Sequence, residues 1–216
     1  MMSSYIRVSG SVVISSLMIG VFSAPPCSAE DPDENPEVFT TVVDEIDVEI
    51  FVPAEVEVFR GALLHSANAS FKTQGRWAEL CKRQGWVHVV TSMKNVRSQG
   101  NRGPRLHKAA VEGLKQCAQA KNHPEPAHGR LIGVGHSAGG LVTRVLEREA
   151  ARAVAYAIDC SWVVKPENIS EEFAKVPAMF TMGELPDAFK MLPAIPNAYE
   201  PARKKGLPWG LGLQPG

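Results

Sequence analysis

The chain has 216 residues, of which 23 are basic and 23 acidic, so its net charge is zero. This balance excludes the strongly basic surface that is typical of proteins binding nucleic acid or anionic membranes. A length of this order suits one domain with a sizeable core, and 44% hydrophobic residues is ordinary for a globular enzyme.

The first 29 residues have the pattern of a secretory signal peptide. Arg7 supplies a positive charge, residues 12–24 are apolar, and small residues ending at Ala29 form a cleavage site. The apolar stretch is too short to cross a bilayer as a stable helix. We therefore expect cleavage after Ala29 and a secreted or periplasmic protein without a stable membrane span; an uncleaved anchor is the alternative.

Residues 30–36 are acidic and contain prolines, which predicts a flexible tether before a domain at 37–216. Three cysteines remain after cleavage: Cys81, Cys117 and Cys160. An odd number cannot be fully paired within one chain, and their spacing resembles no metal site. Because Cys81 and Cys117 lie on the apolar faces of two predicted helices, we expect them to be buried free thiols.

Alternating and continuous apolar runs predict strands, and apolar residues at helical spacing predict helices between them. Strands are expected at 46–52, 58–65, 86–92, 131–134, 153–160, 176–182 and 207–214, and helices at 76–84, 104–121, after 137 and at 170–175. The acidic face of the first strand favours a place near the edge of the sheet. The proline-rich stretch 192–201 is interpreted as a connector, with a flap as the alternative. The fold class is α/β, with a mainly parallel sheet and helices on both faces.

The sequence GHSAGG at 135–140 directly follows an apolar strand and precedes a helix. A serine between two glycines in this setting is typical of a nucleophile elbow, a tight bend that exposes the serine hydroxyl at the edge of the sheet. Glycine is required there because neighbouring backbone comes too close for a β-carbon. The pattern predicts that Ser137 is a nucleophile; a glycine-rich turn with an incidental serine is the alternative.

The elbow and the order of elements resemble the α/β-hydrolases, in particular the small single-domain esterases and dienelactone-hydrolase-like proteins, over residues 48–210. This resemblance implies acyl transfer by a serine nucleophile, a histidine base, an acidic residue that orients the base, and an oxyanion hole of backbone N–H groups. It also implies a small-molecule ester substrate and no cofactor or metal.

Carried over by position, the resemblance makes Ser137 the nucleophile and the N–H of Ala138 one oxyanion donor. The second donor is expected in the loop after the strand at 58–65. Relatives often have His-Gly in this loop, whereas this chain has HSAN at 65–68. The N–H of Ala67 is the predicted donor by position, and that of Ser66 is the alternative.

The orienting acid is expected after the strand at 176–182. The sequence GELPD at 183–187 resembles the glycine-to-aspartate turn of the family, with one residue of extra spacing. Asp187 is therefore the predicted acid. Asp159, at the end of the preceding strand, is the alternative acid, and Glu184 comes third.

The histidine base is not found in the expected place. All six histidines, at positions 65, 88, 107, 123, 128 and 136, precede Ser137, whereas the family's histidine follows the last strand. His65 is interpreted as a structural residue, and the side chain of His136 is expected to diverge from that of Ser137.

Two interpretations of the missing base remain. In the first, which we favour, the sequence stops before the catalytic histidine, and this fragment of an exported serine esterase has little activity. In the second, the chain is a catalytically silent relative that binds a ligand. A peptidase or an acyltransferase on the same fold is a further alternative, since fold alone does not separate these reactions.

Overall fold

A computed structural model describes residues 37–67, 76–92, 96, 101–159, 166–183 and 194–214. These residues belong to one compact unit, Pro36–Gly216. The predicted signal peptide and tether lie outside the described residues. Within the described ranges, no helix has both the length and the hydropathy needed to cross a bilayer.

One sheet of eight strands organises the described part of the chain. The strands are β1 (Glu37–Val43), β2 (Ile46–Val52), β3 (Gly61–Ala67), β4 (Trp86–Ser92), β5 (Arg130–His136), β6 (Ala153–Asp159), β7 (Ala178–Gly183) and β8 (Trp209–Gln214). Their order across the sheet is β1-β2-β4-β3-β5-β6-β7-β8. β2 is antiparallel to both β1 and β4, and all the other pairs are parallel. The predicted α/β class with a mainly parallel sheet is confirmed.

The helices alternate with the parallel strands, as the apolar periodicity predicts. They are α1 (Arg76–Gln84), α2 (Arg102–Lys121), α3 (Glu125–His128), α4 (Val142–Arg148), α5 (Glu171–Ala174) and α6 (Ala194–Lys204), with short 3₁₀ segments at Ser137–Leu141 and Pro166–Asn168. The predicted bounds of α1 and β4 agree with the structure, whereas β3 begins at Gly61, three residues later than expected.

One edge of the sheet is formed by β1, a strand that the sequence does not predict. It pairs with β2 through a two-residue turn, in which Asp44 and Glu45 both have positive φ, at 54° and 63°. This combination of φ values is typical of the type I′ hairpin turn. Arg105 of α2 donates from Nε to Asp44 Oδ2 at 2.9 Å and also binds the Asp44 carbonyl, so the turn is held against the helix.

The core lies on both faces of the sheet. The larger cluster packs α2 and α4 against strands β2 to β8 and includes Cys117 and Trp209, which are almost fully buried. The smaller cluster, on the other face, joins Phe51, Leu63 and Cys81 beneath α1. Both cysteines are buried free thiols, as expected, and burial raises the pKa of Cys81 to about 12 and that of Cys117 to about 11. Cys160 lies outside the described residues.

The stretch 192–201, interpreted as a connector, is helical from Ala194 onward, since α6 covers Ala194–Lys204. Pro201 lies inside this helix, where it removes one backbone hydrogen bond. Burial outweighs that cost: Ala202 is fully buried, and Tyr199 packs against the main core cluster.

Candidate active site

Ser137 lies at a sharp bend between β5 and the 3₁₀ segment that leads into α4. Its φ is +52°, in the left-handed region, whereas His136 before it is extended, with φ −116° and ψ 136°. A residue with a β-carbon adopts positive φ at a cost of about 1–2 kcal/mol, so surrounding contacts must hold it there. The strand, turn and helix follow one another as the elbow sequence predicts.

The glycines of the elbow allow backbone segments to meet. A β-carbon on Gly135 would overlap the carbonyl oxygen of Gly139, and a β-carbon on Gly139 would overlap the carbonyl oxygen of Ser66. The end of β3 therefore presses directly on the elbow. The Ser66 side chain is itself fixed, since its hydroxyl lies 3.0 Å from that of Thr91 in a buried hydrogen bond.

The two predicted oxyanion donors belong to the segments that meet at this contact. Ala67 is the last residue of β3 and directly follows Ser66. Ala138 is the second residue of the 3₁₀ segment. It therefore lies at the N-terminal end of that segment, where backbone N–H groups have no partner within the helix. Both amides thus belong to the carboxyl edge of the sheet, and their role as oxyanion donors stays a prediction.

The alternative acid, Asp159, is the last residue of β6 and lies beside the elbow. Its Oδ2 is 3.0 Å from Nδ1 of His136, and its Oδ1 accepts a hydrogen bond of 2.7 Å from the Thr181 hydroxyl. It therefore binds a histidine, but the one that directly precedes the proposed nucleophile. The preferred acid, Asp187, and the third choice, Glu184, lie outside the described residues.

The other histidines are spread over the fold. His65 and His88 lie on β3 and β4, with ring centroids 5.8 Å apart. His107 pairs with Glu149 at 2.7 Å on the helical layer. His123 and His128 come just before β5 begins, so they lie at the opposite end of that strand from Ser137.

The side chain of His65 is buried rather than exposed to solvent. Its side chain is 3% exposed and meets the Trp77 ring edge-on at 6.0 Å. Burial, with a smaller contribution from the charge of His136, lowers the pKa of His65 from 6.5 to about 4. The ring is therefore neutral near pH 7.

This lowered pKa makes the fold acid-sensitive. Because the unfolded chain binds the His65 proton first, stability falls as pH drops from 6.5 to 4, by roughly 3 kcal/mol in all. We expect His65→Gln to flatten this slope in urea unfolding curves recorded between pH 7 and pH 4. The same change at the exposed His128 is the control and should keep the wild-type slope. Equal slopes for wild type and His65→Gln would contradict the assignment.

In the part of the chain that the structure describes, no group of three His, Cys, Asp or Glu side chains could hold a metal ion. The predicted absence of a cofactor stays a prediction. The chemistry available at the elbow is that of a serine hydroxyl.

The order of the strands and helices, with the bend at Ser137 after β5, is that of an α/β-hydrolase fold. Solved structures of similar fold include a thermostable esterase (TM-score 0.60, 13% identity, 84% of this chain and 55% of that one). A second is a dienelactone hydrolase from Anabaena variabilis (TM-score 0.54, 16% identity, 84% of this chain and 87% of that one). A third is Thermogutta terrifontis esterase 2 phosphorylated by paraoxon (TM-score 0.53, 15% identity, 88% of this chain and 86% of that one). The chain thus spans just over half the length of the first of these proteins. No family model and no curated protein matches the sequence.

Proposed function

We propose that the protein is an exported serine hydrolase that cleaves carboxylic esters through an acyl-enzyme. The single observation that carries this proposal is the positive φ of Ser137 at the carboxyl end of β5. A strained serine at the edge of a parallel sheet, with a helix starting directly behind it, is the arrangement that suits nucleophilic attack.

In the proposed reaction, Ser137 Oγ attacks the ester carbonyl and forms a new C–O bond. The electron pair of the carbonyl moves to its oxygen, where the N–H groups of Ala138 and Ala67 stabilise the negative charge. Collapse of this intermediate breaks the bond to the alcohol, which leaves with the proton taken from Ser137. Water then attacks the acyl-enzyme in the same way and releases the acid.

The proton transfers require a base, which we propose to be a histidine oriented by Asp187, with Asp159 as the alternative acid. None of the six histidines is assigned this role, because all of them precede Ser137 in the chain, whereas the family's histidine follows the last strand. Loss of one triad member lowers the kcat of a serine hydrolase by about 10⁴-fold or more. We therefore expect weak turnover from the 216-residue chain.

The test is hydrolysis of an activated ester by the purified chain. Wild type should hydrolyse p-nitrophenyl acetate with an initial burst, since this activated ester acylates the serine faster than water deacylates it. Ser137→Ala should reduce the rate to background. Ser170→Ala is the matched control, since Ser170 caps α5 by accepting a hydrogen bond from the Phe173 N–H and is remote in sequence from the elbow. Equal rates for wild type and Ser137→Ala would overturn the proposal.

The same assay separates hydrolysis from acyl transfer. If added alcohol captures most of the acyl group, the protein is an acyltransferase; if water remains the main acceptor, it is a hydrolase. Parallel assays with an acylated peptide test the peptidase alternative, because the fold is shared by enzymes of all these activities.

A silent ligand-binding protein is the second candidate, favoured by the position of all six histidines before Ser137. On this alternative, a phosphonate ester analogue binds reversibly, and it dissociates intact from both wild type and Ser137→Ala.

A further inference from the structure

Three polar side chains lie in one row across the carboxyl ends of β5, β6 and β7. His136 is directly opposite Asp159 in the sheet register, and Asp159 is directly opposite Thr181. Residues that are opposite one another in neighbouring strands present their side chains on the same face. The row therefore starts at the residue before the nucleophile and ends two strands away.

The hydrogen bonds in this row have a defined direction. Thr181 donates from Oγ1 to Asp159 Oδ1 at 2.7 Å. A carboxylate only accepts, so the 3.0 Å contact between Asp159 Oδ2 and His136 Nδ1 requires the hydrogen to be on Nδ1. Each carboxylate oxygen is thus bound once, and the orientation of Asp159 is set from both sides.

The row is buried at Thr181 and exposed to solvent at His136. Thr181 is 8% exposed, and the His136 side chain is 61% exposed. An exposed histidine–carboxylate pair by itself contributes little to stability. Here the carboxylate is already fixed by a buried hydroxyl and by the strand register, so less side-chain entropy is lost when His136 binds.

The position of His136 connects this row to the nucleophile. Fixing the His136 side chain also fixes the peptide that joins it to Ser137, whose φ is +52°. From the other side, the Ser66 carbonyl packs against Gly139. The elbow is therefore held between the end of β3 and the ends of β6 and β7.

We propose that Thr181 and Asp159, acting through His136, are positioning residues that hold Ser137 in its reactive conformation. This inference rests on the proposed function of Ser137. It assigns Thr181, which has no part in the proposed chemistry, a measurable effect on the reactivity of a serine 44 positions earlier in the chain.

The experiment compares the rates at which a fluorophosphonate modifies Ser137 in matched variants, followed by intact mass. Thr181→Val keeps the shape of the side chain and removes the hydroxyl; we expect it to slow modification about tenfold, the scale of a small misplacement of a reacting group. Thr181→Ser restores the hydroxyl and should stay within about twofold of wild type. In a His136→Phe background, Thr181→Val should have no further effect, because the connection to the elbow is already broken.

A stability control separates positioning from general weakening of the fold. Glu149→Gln breaks the His107–Glu149 pair, which lies on α2 and at the end of α4 rather than beside Ser137, and is expected to lower the Tm without slowing modification. The proposal is overturned if Thr181→Val reacts as fast as wild type, or if it slows the reaction equally with and without His136.

If wild-type Ser137 is not modified, the proposed function fails. Amide hydrogen exchange then still tests whether Thr181 and Asp159 hold the elbow. The amide hydrogens of Ala138 and Gly139 should exchange with solvent faster in Thr181→Val than in Thr181→Ser. Equal exchange rates in the two variants would show that the row does not hold the elbow.

Discussion

Gly139→Ala is expected to destabilise the domain by about 3 kcal/mol and to remove the reactivity of Ser137. The added β-carbon would overlap the carbonyl oxygen of Ser66, which is backbone and cannot rotate away. The end of β3 and the elbow must then move apart, and the amides of Ala67 and Ala138 move with them. Urea unfolding and ester hydrolysis measure the two effects.

Gly210→Ala is the matched control for this substitution. Its β-carbon would lie 3.2 Å from Sδ of Met179, an atom of a flexible side chain that can move, so we expect a small change in stability and an unchanged rate of ester hydrolysis. If Gly139→Ala is as stable and as active as Gly210→Ala, the close contact between β3 and the elbow is wrong.

Ser137→Gly is expected to abolish ester hydrolysis while leaving a more stable protein than Ser137→Ala. Both variants lose the proposed nucleophile, so both should fall to the background rate. Only glycine adopts a φ of +52° without a steric penalty, which should make Ser137→Gly more stable than Ser137→Ala by about 1 kcal/mol.

This pair of variants is sensitive to strain because the two residues differ by one methyl group. Unfolding free energies from urea titrations at pH 7 give the difference directly. A Ser137→Ala protein that is as stable as Ser137→Gly would show that the backbone at this position is relaxed, contrary to the elbow geometry.

The parts of the fold that the sequence predicts well are those set by local periodicity. The bounds of α1 and β4 are correct because their apolar patterns end at clear breaks. β1 is missed because its turn uses Asp44 and Glu45, without the glycine or asparagine that usually marks a two-residue hairpin. α6 is missed because its prolines favour a connector, and only the packed structure shows that Ala202 is buried.

The same division applies to the site. The bend at Ser137 is predictable because its glycines and its flanking elements are contiguous in sequence. The row from His136 to Asp159 and Thr181 depends on the register of three strands, which single-strand patterns do not give. One signal was available: His136 and Asp159 each end a parallel strand, and such ends meet at one edge of the sheet.

The central claim, that Ser137 is a nucleophile presented at a tight bend, is tested most directly by mapping a fluorophosphonate adduct. Wild-type protein is incubated with the probe, digested and analysed by mass spectrometry. We expect a single adduct, on the peptide that contains Ser137, and none in Ser137→Ala. An unmodified protein, or an adduct on another residue that persists in Ser137→Ala, would contradict it.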